Sequence, residues 1–220
     1  MEITKLILEF FKVLVWPIVL FVILAIYHDE IKSILNRLKK AELPGGITFE
    51  AFPQHIEEAK VISHDVKKEI SMEQNKINKS KVHTLLPLTE ANTRMINLGL
   101  SPSPSGLEMD YYKAISEQDP NLALAGLRME LEAMLKNLAK GFKISLGSRD
   151  SAGMISRKLR DQGAITINQY ELINSIINLA NAAIHGVRVN KNQANEILDL
   201  CEVLKEQYIN WLSWGFPKRD

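Results

Sequence analysis

Apolar positions in this chain run unbroken at first and later fall into helical spacing. Leu6–Tyr27 (LILEFFKVLVWPIVLFVILAIY) is interrupted only by Glu9 and Lys12, and Val13–Tyr27 carries no charge. As a helix these 22 residues would reach about 33 Å, enough for a hydrocarbon core of about 30 Å. The run is longer than a signal-peptide core, and Ala25-Ile-Tyr27-His-Asp offers no small-x-small cleavage site. It also lacks the charged face of an interfacial helix. The pattern predicts one uncleaved transmembrane helix, residues 1–30. Lys32, Arg37, Lys39 and Lys40 follow it and Lys5 precedes it, so the positive-inside rule predicts a single-pass protein of the inner (cell) membrane with its C-terminal part cytoplasmic.

Residues 31–80 read as a juxtamembrane helix, a strand and a stalk. Ile31, Ile34, Leu35 and Leu38 keep helical spacing until Pro44-Gly45-Gly46. Ile47–Phe52 alternates as a short strand would, and Pro53 ends the run. Such a strand would pair with another copy or lie extended along the membrane. Ile56, Ala59, Val66, Ile70 and Ile77 then follow an imperfect heptad register, so Gln54–Lys79 is either a self-associating coiled coil or a loosely folded stalk. Residues 81–106 read as a linker ending in Leu100-Ser-Pro-Ser-Pro-Ser-Gly106.

Residues 107–220 read as a helical bundle. Asp119-Pro120 is a helix start, and Leu124, Leu127, Leu131, Met134, Leu135 and Leu138 form its stripe up to Gly141. A short helix spans Ala152–Asp161. Thr166-x-x-Gln169 is a capping box for a third, with Ile173, Ile176, Ile177, Ala180 and Ile184 on its apolar side. A last helix carries Ala194, Ile197, Leu198, Cys201, Leu204, Tyr208 and Leu212. The fold class expected is all-α, a bundle behind one membrane helix with a short juxtamembrane strand.

Composition narrows the chemistry. A net charge of +1 shows no global basic excess, and the single Cys201 excludes an internal disulfide. CxxC, HExxH, GxxxxGK[ST] and GxGxxG motifs are absent, and the five histidines have no metal-ligand spacing. No cofactor and no metal is expected. One local excess stands out: in Lys136–Arg160 seven residues are basic (Lys136, Lys140, Lys143, Arg149, Arg157, Lys158, Arg160) and only Asp150 is acidic. The Gly147-Ser148-Arg149 turn suits a phosphate, while the same residues also suit a solvated face or anionic headgroups. Glu9 and Lys12, three apart, either pair within the membrane or across subunits, or snorkel to the interface; Pro17 leaves a carbonyl for a neighbouring helix.

Asn178-Leu-Ala-Asn181-Ala-Ala-Ile-His185-Gly186 resembles the end of the conserved helix of HEPN-superfamily bundles, and in particular the small domain of unknown function often fused to restriction and antiviral defence proteins. Leu127-Arg128-Met-Glu-Leu131-Glu132-Ala-Met-Leu135 matches that family's first helix, and Leu159-Arg160-Asp-Gln-Gly163-Ala-Ile165 its short basic helix and Gly-x-Ile segment. The likeness covers Asp119–Leu212. It departs where HEPN ribonucleases carry an arginine, a position held here by Ile177. Without that cation His185 reads as a helix-end group, as a ligand contact beside Arg188, or as a lone acid/base.

These features together predict a non-enzymatic, homo-oligomeric membrane effector of bacterial anti-phage defence. Its bundle would bind a nucleotide-derived or oligonucleotide ligand through Lys143, Arg149, Arg157, Arg160, His185 and Arg188 and gate membrane disruption or ion conduction. The layout is similar to membrane subunits of guard systems of the Hailong kind, which implies a nucleotidyltransferase or other defence-system partner. The alternatives are a membrane-tethered HEPN-type ribonuclease and a membrane adaptor that binds a partner protein.

Overall fold

The structure is a computed structural model that describes residues 16, 17, 19, 27, 51–78 and 86–214. The chain divides into two compact units, Met1–Ala41 and Glu42–Asp220. In the first, Trp16, Pro17 and Val19 are in helical backbone and exposed. Glu9, Lys12 and the rest of the first unit apart from Tyr27 lie outside the described residues.

The second unit holds seven described helices: α1 Phe52–Asn78, α2 Leu88–Asn97, α3 Met109–Ser116, α4 Pro120–Gly141, α5 Ala152–Asp161, α6 Ile167–Ile184 and α7 Lys191–Trp214. Among the described residues there is no strand, in keeping with the all-α class and not with the expected juxtamembrane strand as far as it is described. Of the expected strand Ile47–Phe52, residues 47–50 lie outside the described residues, Ala51 is in a turn, and Phe52 opens α1. Pro53, read as the strand's end, sits in the helix's first turn, where its missing N–H removes no intrahelical bond.

The expected membrane helix and single-pass inner-membrane placement are also corrected: among the described residues no helix is long and apolar enough to cross a membrane. Helix α4 carries Arg128, Glu130, Glu132, Lys136 and Lys140, and α6 is diluted by Asn168, Asn174, Asn178 and Asn181. Of the expected span Leu6–Tyr27, all but Trp16, Pro17, Val19 and Tyr27 lies outside the described residues.

Helices α4, α6 and α7 pack on one another around a core that includes Leu124, Leu131, Leu135, Ile173, Ile176, Leu198 and Tyr208. Asp119 caps α4 by accepting from the Leu122 N–H, Ser151 caps α5 through Met154, and both halves of the Thr166–Gln169 capping box form at α6.

Helix α1 packs against α6 and α7, burying Ile56, Ala59, Val66 and Ile70. The thin heptad stripe therefore finds its partner inside the chain. Glu69 of α1 reaches the start of α6, accepting from Thr166 Oγ1 and Asn168 Nδ2, both at 2.7 Å. A carboxylate is favoured there because the first N–H groups of a helix lack intrahelical partners.

The Ser-Pro segment is a strap fastened to the bundle. Asn137 of α4, 3% exposed, accepts from the Ser101 N–H and donates to the Ser101 carbonyl. Asn92 makes the same pair of bonds with Ser103. Glu130, wholly buried, accepts through Oε2 from the Ser105 N–H, the Ser105 hydroxyl and the Tyr112 hydroxyl. Backbone that cannot form helix or strand ladders has its polar groups satisfied by three side chains instead.

Candidate functional site

The site is built where α4 ends. Its C-cap is Phe142, and the chain leaves through a closed turn: the Lys143 N–H donates to the Lys140 carbonyl and the Ile144 N–H to the Ala139 carbonyl. This is the Schellman arrangement, whose turning residue adopts positive φ and is most often glycine. The same motif ends α2 at Gly99 (φ 70) and α5 at Gly163 (φ 65). At the end of α4 the turning residue is Lys143, at φ 59. A side chain there costs about 1–2 kcal/mol, so a cation is held where glycine would be easier.

The Gly141–Ser151 loop then turns back along α4 toward α5 and encloses a groove of about 650 Å³. Ile144, Leu146 and Ile155 supply aliphatic surface, and Lys136, Lys140 and Arg149 supply the cations. Glu132 and Asp150 complete the charged lining. Lys136 pairs with Glu132 at 2.7 Å, and Lys140 Nζ donates to the Gly99 carbonyl. Arg149 is exposed and open to an incoming group.

Asp150 organises the loop. Its Oδ2 accepts from Lys158 Nζ at 2.6 Å and from the Gly147 N–H at 2.7 Å, and its side chain is only 9% exposed. The Lys158 ammonium first, and the Gly147 N–H second, hold its carboxyl below the ordinary 3.8. The backbone N–H of the phosphate-suited turn is therefore already occupied by a carboxylate from the same loop.

The residues expected to bind ligand do not form one site. Arg149 lines the groove, and Lys143 stands exposed at the start of its loop. Arg157 follows Ile155 by two positions, about 200° around α5, and faces away from the groove. Arg160 is committed to Asp161 at 2.7 Å and lies 4.3 Å above the Tyr170 ring.

His185 and Arg188 are at the other end of the bundle. Asn121, at the start of α4, donates to the Ala183 and Val187 carbonyls at 2.7 Å, whereas Lys140 is roughly 29 Å further along that helix. His185 serves as the C-cap of α6 through its backbone N–H, with its ring exposed. Ile177 is buried, and the partner of Asn181 is Arg128, whose Nε donates to Oδ1 at 2.6 Å. Among the described residues no group of three or more His, Cys, Asp or Glu is placed to hold a metal ion. Burial first, and then the Glu130 charge, push the Cys201 thiol up to about 12, which leaves it a poor nucleophile.

Sequence reasoning located the loop but missed its aliphatic side and its internal counter-charge. The spacing Ile144-x-Leu146 is the signal for the former, since residues two apart in an extended segment fall on the same side. No curated protein and no solved structure matches the chain. Residues 110–211, which include every groove residue, match the family model described as a domain of unknown function (DUF4145).

Proposed function

We propose that the helical unit is a binding module for a phosphate-bearing, nucleotide-derived ligand, seated in the groove between α4, the Gly141–Ser151 loop and α5. The observation that carries this reading is the pairing of aliphatic surface with cations in one concavity of suitable size. Ile144 and Leu146 would take a base or sugar face, and Arg149 a phosphate. Lys143 supports the reading, because backbone strain at a non-glycine residue is commonly retained where its side chain is needed. Binding without cleavage is the form of the proposal. The position expected to hold the ribonuclease arginine is the buried Ile177, and His185 stands far from the groove's cations. In this reading the HEPN resemblance describes the bundle and not a catalytic centre.

The test is a titration of the full-length chain with fluorescent nucleotides and short RNA oligonucleotides at low salt, beside Arg149→Ala and His185→Ala variants. Binding that falls about tenfold in Arg149→Ala and persists in His185→Ala is the expected result. Equal binding by wild type and Arg149→Ala would remove the groove. Cleavage of the RNA, lost in His185→Ala, would replace this reading with the nuclease one.

A further inference from the structure

Asp150 lines the groove in which the proposed function seats an anion, where a carboxylate is unexpected on charge alone. Its contacts account for it. The Asp150 N–H donates to the Gly147 carbonyl, and Asp150 Oδ2 accepts from the Gly147 N–H at 2.7 Å. One residue thus closes the turn Gly147-Ser148-Arg149-Asp150 through both backbone and side chain, and Arg149 lies inside the closed turn. The same Oδ2 accepts from Lys158 Nζ at 2.6 Å, which anchors the turn to α5 and neutralises the carboxylate locally. A Cβ on Gly147 would stand 3.3 Å from Asp150 Oδ1, so glycine leaves the carboxylate room for this approach. The Asp150 side chain is 9% exposed, while Arg149 beside it is exposed.

We propose that Asp150 is a positioning residue for Arg149. It holds the turn in the geometry that presents the guanidinium to a phosphate, so that less ordering is left to be done on binding. This rests on the groove reading above and adds to it a residue that no ligand need touch. Charge and positioning predict opposite signs. On Coulomb's law alone Asp150 repels an anion, and its removal also frees the Lys158 ammonium, so binding would tighten. Under positioning the turn loosens, and binding weakens although the groove has become more positive.

Calorimetric titration of the full-length chain at low salt separates the two, with inorganic pyrophosphate and fluorescent adenosine 5′-triphosphate as probes. Asp150→Ala is expected to weaken binding about three- to tenfold. Asp150→Asn should weaken it less, because its amide oxygen can still accept from the Gly147 N–H. In an Arg149→Ala background, Asp150→Ala should cause no further loss, since no guanidinium is left to position. Circular dichroism melts set a temperature at which every variant is folded; if Asp150→Ala does not fold, Asp150→Asn in both backgrounds carries the same comparison. Equal or tighter binding by the Asp150 variants would overturn the positioning role and leave the groove standing. So would an equal fold loss with and without Arg149. A wild type that binds neither probe better than Arg149→Ala would overturn the groove and the positioning role together.

Discussion

Asp150 accepts a hydrogen bond from Lys158 Nζ at 2.6 Å, and with its bond from Gly147 this ties the Gly141–Ser151 loop to α5. The relationship fixes the direction of a pH effect. Asp150 has a folded pKa below its ordinary 3.8, so its pairing contributes stability that is complete above that value and is lost as pH falls through the lowered one. Asp150→Asn is therefore expected to melt at a lower temperature than wild type at pH 7. The gap should stay constant down to about pH 4 and narrow below it. A gap that is unchanged at pH 3 would contradict the pairing.

Gly126 and Tyr112 are matched in shape. A Cβ on Gly126 would stand 2.4 Å from Tyr112 Cε1, in the place where the ring lies before its hydroxyl reaches Glu130. Gly126→Ala should cost about 1–3 kcal/mol as an overpacked site. Combining it with Tyr112→Leu should cost less than the two single losses added, because removal of the ring relieves the clash. Denaturant melts of the four proteins measure this, and strict additivity would count against the contact.

The strap was the least legible part of the sequence. Leu100–Gly106 reads as a linker because Ser-Pro repeats exclude regular structure, and they do exclude it. What the local pattern cannot show is that Asn92, Glu130 and Asn137 offer their side chains to the serine backbone. Those bonds join residues up to 36 apart in sequence. The stripe on α1 is a similar case: its apolar spacing was plain, but spacing does not name the partner, and the partner is α6 and α7 of the same chain. Helix starts at Asp119, Ser151 and Thr166, by contrast, are local chemistry and were readable. Within the site, Arg149 was readable as a cation next to a turn, whereas the separation of His185 from it depends on the antiparallel run of α4 and α6.

Asn137 joins the strap to the core, since its Nδ2 also donates to the Tyr208 hydroxyl at 2.9 Å. Asn137→Ala leaves the Ser101 N–H and carbonyl without these partners and should destabilise the unit by about 2 kcal/mol or more. Hydrogen exchange should quicken at residues 100–106 before it does in α4. Unchanged protection of the strap in that variant would show that other contacts hold it.

Lys143 invites the opposite kind of substitution. Lys143→Gly removes the side chain from a left-handed position and should raise stability by about 1 kcal/mol, even after the greater freedom of glycine in the unfolded chain is counted. The same variant should bind nucleotide less tightly if the cation is retained for ligand. A variant that is more stable and binds equally well would assign Lys143 no part in binding.

The central claim is a location, and hydrogen–deuterium exchange of the full-length chain with and without nucleotide tests it most directly. Slower exchange confined to peptides covering Lys136–Ser151 is the predicted result. Slower exchange at Ala183–Asn190, with the Gly141–Ser151 loop unaffected, would place the ligand at the opposite end of α4 and contradict the account.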